Sequence, residues 1–172
     1  MKLVDKKGVL LINLGTPKSP TTEDVRVYLK EFLSDRDVIR MSRFFWLPLL
    51  NFVILRSRPA KSAELYKKVW TEWGSPLLYN TYLQAGLLKK KFECDENEEF
   101  FVDVAMRYGS PSIESKLLQL VKSGYRKIII LPMFPQYSTT TTRSIARKID
   151  EIIMKNKLLD KQKKGKKRMR QF

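Results

Sequence analysis

Histidine is absent from these 172 residues, and cysteine occurs once, at Cys94. Without histidine the chain lacks the commonest neutral metal ligand and the side chain best suited to proton transfer near pH 7. One cysteine excludes an internal disulfide and any multi-thiolate metal site, and it fits a reducing compartment. Long apolar runs are also missing. The longest, Phe44 to Leu55, is broken by Pro48 and Asn51 and is too short for a bilayer, which takes about 20 residues. The charged start, Met1 to Gly8, has no apolar h-region of the secretory kind. These absences point to a cytoplasmic protein with one greasy surface element.

What is present is a globular composition, 43% hydrophobic and 30% charged, with a net charge of +16. Between Lys155 and Arg170 nine Lys and Arg stand against one acid, Asp160, so this run alone supplies half of the excess charge. Elsewhere acids and bases interleave, which reads as a solvated face rather than a nucleic-acid footprint.

Periodicity gives the fold class. Gly8-Val-Leu-Leu-Ile-Asn-Leu, Phe100-Phe-Val-Asp-Val-Ala-Met and Lys127-Ile-Ile-Ile-Leu-Pro are near-continuous apolar runs, the pattern of strands buried on both faces. Between them lie helical patterns. Thr21 or Thr22 caps a helix with Val25, Leu29, Phe32 and Leu33 on one face. Phe44 to Leu55 forms a short helix or helix pair. Pro59 opens a helix with Leu65 and Val69 in apolar spacing, and Trp73-Gly-Ser-Pro ends it. Tyr82 to Phe92 is helical and leads into an acidic turn, Glu93 to Glu99. Ser110-Pro111 reads as N-cap and N1 of a helix buried through Ile113, Leu117, Leu120 and Val121. A last helix starts at Thr142 or Ser144 and carries Ile145, Ile149, Ile152 and Ile153. Alternating strands and helices imply an α/β fold, a Rossmann-like open parallel sheet with flanking helices. One domain over residues 1–154 is expected, followed by a basic, disordered tail over 155–172. With three strands and an abrupt change to Lys-rich sequence, the domain reads as truncated or as the product of a shifted frame.

Ligands of such sheets bind beyond the carboxyl ends of the strands. There lie Asn13-Leu-Gly-Thr-Pro, Arg107-Tyr-Gly-Ser-Pro and Phe134-Pro-Gln-Tyr-Ser-Thr-Thr. Each loop has a plain structural role open to it: Gly15 and Pro17 make a turn, and Phe134 and Tyr137 can be core aromatics. Arg107, beside an aromatic ring, suits a carboxylate or a flat conjugated ligand; a surface ion pair is the alternative.

Seven segments stand in order: Ile12-Asn-Leu-Gly-Thr-Pro, Phe32-Leu-Ser-Asp-Arg-Asp-Val, Arg58-Pro-Ala-Lys, Tyr66-Lys-Lys-Val-Trp, Gly74-Ser-Pro-Leu, Met106-Arg-Tyr-Gly-Ser-Pro-Ser-Ile and Leu131-Pro-Met-Phe-Pro-Gln-Tyr-Ser. Over residues 7–150 they resemble the N-terminal half of ferrochelatases, in the proteobacterial form. The resemblance implies a chelatase-type fold and the insertion of ferrous iron into protoporphyrin IX in haem biosynthesis, iron and porphyrin being substrates rather than cofactors. It implies that Asn13 and Leu14 line the macrocycle, that Arg58, Tyr66, Ser75, Arg107 and Tyr108 position the ring or its propionates, and that Ser138 sits at the cleft wall. Phe44 to Leu55 matches the family's apolar lip, which shields porphyrin and touches the membrane surface, placing the protein in the cytoplasm or peripheral to the inner membrane. An amphipathic core helix is the competing reading of that segment. The family's metal-handling histidine and glutamate fall in blocks this sequence does not contain, so no residue here is assigned a catalytic or metal-binding role. That leaves a porphyrin-binding half, inactive alone, with a non-catalytic porphyrin or haem module as the alternative.

Overall fold

The computed structural model describes residues 6–93 and 99–156. Cys94 and most of the acidic turn, the start of the chain, and the basic run from Lys157 onward lie outside the described residues. Three parallel strands form the sheet: β1 (Lys6–Thr16), β2 (Glu99–Gly109) and β3 (Lys127–Pro132), in the order β2-β1-β3. Central β1 pairs on both edges, Leu11 lying opposite Val104 and Leu131. Its residues Gly8 to Ile12 are buried in succession, as a strand covered on both faces requires.

One face of the sheet, through Leu10, Ile12 and Ala105, packs on Ile113 and Leu117 of α5 (Ile113–Lys122) and on Ile145 and Ile152 of α6 (Ser144–Lys155). The other, through Val9, Leu11, Val104 and Met106, packs on Ala85 of α4 (Pro76–Phe92). A third cluster joins α1 (Thr22–Leu33) to a continuous helical run made of α2 (Arg43–Leu49), a π-helical turn (Leu50–Ile54) and α3 (Leu55–Val69). Trp46, Leu50 and Leu55 bury against Leu29 and Leu33, and the Trp46 indole donates to the Leu33 carbonyl at 2.8 Å. Thr21 caps α1 through a bond from the Asp24 N–H.

Several elements depart from the sequence expectation. Pro59 does not open a helix but lies buried inside α3. A proline there leaves the carbonyl four residues back without its helical donor, and the Arg26 Nε supplies one, bonding Leu55 O at 3.1 Å. The buried face of α3 is Leu55, Pro59 and Ala63, while Leu65 and Val69 are exposed. Helix α4 begins at Pro76, well before Tyr82, because Ser75 and Pro76 already occupy its N-cap and N1 positions. Ser110-Pro111 is a cis peptide ahead of α5 rather than its cap; Ser112 caps the helix, its hydroxyl accepting from the Ser115 N–H at 3.2 Å. Helix α6 ends at Lys155, which bridges to Glu114 at 3.1 Å.

Candidate functional site

Because all three strands are parallel, their carboxyl ends share one edge, where the three loops read from the sequence gather. Two glycines hold the ends of β1 and β2 together. Gly15 has φ +116, and a Cβ there would lie 1.9 Å from the Tyr108 carbonyl oxygen; a Cβ on Gly109 would lie 2.7 Å from that of Thr16. Only glycine fits either position.

The end of β2 is a charged knot around Asp35, from the loop after α1. Its carboxylate accepts from the Tyr108 hydroxyl at 2.7 Å, the Ser144 hydroxyl at 2.7 Å and the Asp37 N–H at 2.8 Å. It also pairs with the guanidinium groups of Arg107 and Arg147. Arg107 donates from Nε to the Ser144 hydroxyl at 2.7 Å and lies 4.4 Å from the Tyr108 ring centroid. Arg147 reaches Asp37 at 3.2 Å. Burial pulls the Asp35 carboxyl upward, but donors from Ser144, Asp37 and Tyr108 together with the charge of Arg107 overcome it and hold the group down to about 2. Burial pushes the Tyr108 phenol well above its ordinary value.

The end of β1 is neutral. Asn13 Oδ1 accepts from the Leu14 N–H at 2.9 Å, and its Nδ2 donates to Thr81 Oγ1 at 3.1 Å. Thr81 lies on α4, the helix that the buried Ser75 starts, and donates in turn to Leu77 O at 2.6 Å. The Tyr28 hydroxyl donates to Gly15 O at 3.3 Å, and Tyr66 sits edge-on to Tyr28 at 6.4 Å. Burial pushes both phenols upward, Tyr28 further.

The expected site residues therefore separate. Arg107 and Tyr108 belong to the knot, and Tyr108, with no exposed surface, supports the edge rather than facing a ligand. Asn13 bonds Thr81 of α4, the helix whose buried N-cap is Ser75, and Tyr66 meets Tyr28, with half-buried Leu14 following Asn13. Arg58 is exposed on α3. Ser138, half-buried, bonds Thr140 at 2.8 Å at the start of a second π-helical turn (Thr139–Arg143), to which Arg40 is tied through Thr139 at 2.8 Å. Phe134 is core-packed and Tyr137 exposed.

The run Phe44 to Leu55 is amphipathic, buried on one face and exposed on the other. Trp46, Leu50 and Leu55 are core, while Phe44 (82% exposed), Phe45, Phe52 and Val53 are exposed. Among the described residues no helix is long and apolar enough to cross a membrane, and no group of three His, Cys, Asp or Glu could hold a metal ion. Asp35, Asp37, Ser144, Arg147, Tyr28 and Thr81 were not foreseen as site residues. Asp35 and Asp37 do stand in the segment Phe32-Leu-Ser-Asp-Arg-Asp-Val, but nothing local in it names partners more than seventy positions away.

The ferrochelatase family model matches residues 6–167. The coproporphyrin III ferrochelatase of Lactococcus lactis subsp. lactis is 47% identical over 154 residues, covering 90% of this chain and 48% of that protein. The ferrochelatase of Idiomarina loihiensis is 49% identical over 140 residues, 81% of this chain and 38% of its own length. That of Actinobacillus pleuropneumoniae serotype 3 is 50% identical over 141 residues, 82% and 44% respectively. The chain thus spans less than half the length of these curated relatives, and relatives with and without coproporphyrin in their names match about equally well.

Proposed function

The chain belongs to the ferrochelatase family, and from that premise we propose that it forms the porphyrin-facing wall of an iron-inserting site without completing the site by itself. The observation that carries this reading is the match along 81–90% of the chain to proteins of which it spans only 38–48%. In this reading the macrocycle lies along the neutral end of β1, against Asn13, Leu14, Tyr66, Ser75 and Ser138. Exposed Arg58 offers a cation to a propionate. Arg107 and Tyr108 act from behind, keeping the strand ends in place. The bare rings of Phe44, Phe45 and Phe52 supply an apolar flap over a flat hydrophobic ligand and a contact with the membrane surface, with the protein acting in the cytoplasm or peripheral to the membrane.

Inserting iron requires a base for the pyrrole protons and a group that hands over the metal. With no histidine in these residues, the proposed role is to bind porphyrin and leave insertion to groups outside this chain. A non-catalytic porphyrin or haem module is the second reading, favoured by the same lack of histidine. We assign protoporphyrin IX as the macrocycle, with coproporphyrin III as the competitor, since relatives named for it match equally well.

Titration of the 172-residue chain with each porphyrin, followed by absorbance, tests this. A saturable shift is expected, stronger for protoporphyrin IX and weakened in Arg58→Ala, with no metalloporphyrin formed when ferrous iron is added. Metalloporphyrin formation would overturn the assignment of insertion to outside groups. Absence of any saturable shift would overturn the porphyrin wall itself.

A further inference from the structure

Next to the charged knot opens a pocket of about 440 Å³, within the range of small-molecule sites, roughly 300–1,000 Å³. Its walls carry five cations, Arg36, Arg43, Arg107, Arg147 and Lys148, against three carboxylates, Glu31, Asp35 and Glu151. Most of these charges are already engaged. Arg107 and Arg147 pair with Asp35, and Lys148 faces Glu151 at 3.8 Å. Glu31 accepts from the Gly109 N–H at 2.8 Å. Arg43 has only a neutral partner, the Ser34 carbonyl, and exposed Arg36 has no ion pair among the described residues. Counting Asp37, which holds Arg147 at 3.2 Å from outside the lining, one positive charge is left in surplus, and the two guanidinium groups without a carboxylate, Arg36 and Arg43, flank the pocket from one loop and the first residue of α2.

We propose that this pocket is an oxyanion site that takes a phosphate group through Arg36 and Arg43. The planar donor fork of arginine matches phosphate oxygens two at a time, and a phosphate monoanion balances the surplus. The volume leaves room for the organic group that carries the phosphate. Two sources share this chemistry: a soluble phosphate, and the headgroup of a phospholipid, which the bare rings of Phe44 and Phe45 next to Arg43 would bring within reach.

The test is calorimetric titration of the full chain with inorganic phosphate in a low-salt chloride buffer, followed by flotation with phosphatidylcholine vesicles that contain or lack phosphatidic acid. Saturable phosphate binding is expected, weakened about tenfold in Arg36→Ala by loss of a charge-assisted bond and restored in part by Arg36→Lys. Arg36 is exposed and unpaired, so its removal leaves the fold intact. Co-flotation with phosphatidic acid that free phosphate competes away, and that Arg36→Ala loses, identifies a lipid headgroup; phosphate binding without flotation identifies a soluble ligand, and both support the site. Non-saturable binding, or equal binding by Arg36→Ala and the parent, overturns it. Displacement of phosphate by porphyrin also overturns it, because the pocket would then belong to the porphyrin wall. Porphyrin binding that survives Arg36→Ala separates this proposal from the preceding one.

Discussion

The two strand ends that meet at Gly15 and Gly109 are secured in opposite ways. At the end of β2 a single buried carboxylate, Asp35 (side chain 2% exposed), gathers two arginines, a tyrosine and a serine from two other elements. At the end of β1 the polar groups are neutral and bond in short relays, Asn13 to Thr81 to Leu77. A charge network is rigid because each member left alone is costly to bury. A neutral relay can lose a member and turn to water. The difference puts rigidity at the end of β2 and adaptability at the end of β1, the wall proposed for the macrocycle.

The largest effect expected is that of Asp35→Ala. It leaves Arg107 (side chain 9% exposed) buried without its counter-charge and removes the carboxylate that Ser144 and Arg147 of α6 share with β2, so stability in urea should fall by roughly 3–5 kcal/mol. A loss under 1 kcal/mol would mean that the knot does not hold the edge.

Acid sharpens the same contrast. The Asp35 carboxyl is lowered from 3.8 to about 2 in the fold, so its contribution is complete above the unfolded value and disappears as pH falls through the folded one. Between pH 4 and pH 2 the parent should lose about 2 kcal/mol on this account, while the Asp35→Asn profile should be flatter there. Parallel profiles would show that the carboxylate is not the titrating group. The neutral end contributes nothing in this window, since Asn13 and Thr81 do not titrate.

How far the sequence revealed this depended on range. Strand β3 could be read at its observed bounds, and the stripe Ile113, Leu117 and Leu120 came from helical spacing alone, because both are decided by burial along a short segment. Local punctuation misled where a distant group intervened: Pro59 looked like a helix start, but Arg26 repairs the bond it breaks. Helical spacing starts α4 at Tyr82, although Ser75-Pro76 has the chemistry of a start six residues earlier. The knot was invisible for a stronger reason. Asp35 finds Arg107, Ser144 and Arg147 at separations of 72, 109 and 112 residues, and no periodicity carries that information. The resemblance to a family brought Arg107 and Tyr108 into view, yet what they touch belongs to the tertiary fold.

The smallest effect separates the two ends most finely. Thr81→Val keeps the shape of a side chain with 1% exposure but removes the acceptor for Asn13 Nδ2 and the donor to Leu77 O. The carbonyl lies within α4 and retains its helical partner, and half-buried Asn13 can turn its amide to solvent. The expected cost is therefore that of one ordinary hydrogen bond, about 1 kcal/mol, and Thr81→Ser should recover most of it. A urea-measured loss as large as that of Asp35→Ala would mean that the relay is as tightly coupled as the knot. A loss near 1 kcal/mol, accompanied by altered porphyrin titration, would instead place Asn13 on a wall whose orientation is tuned by α4 rather than fixed by charge.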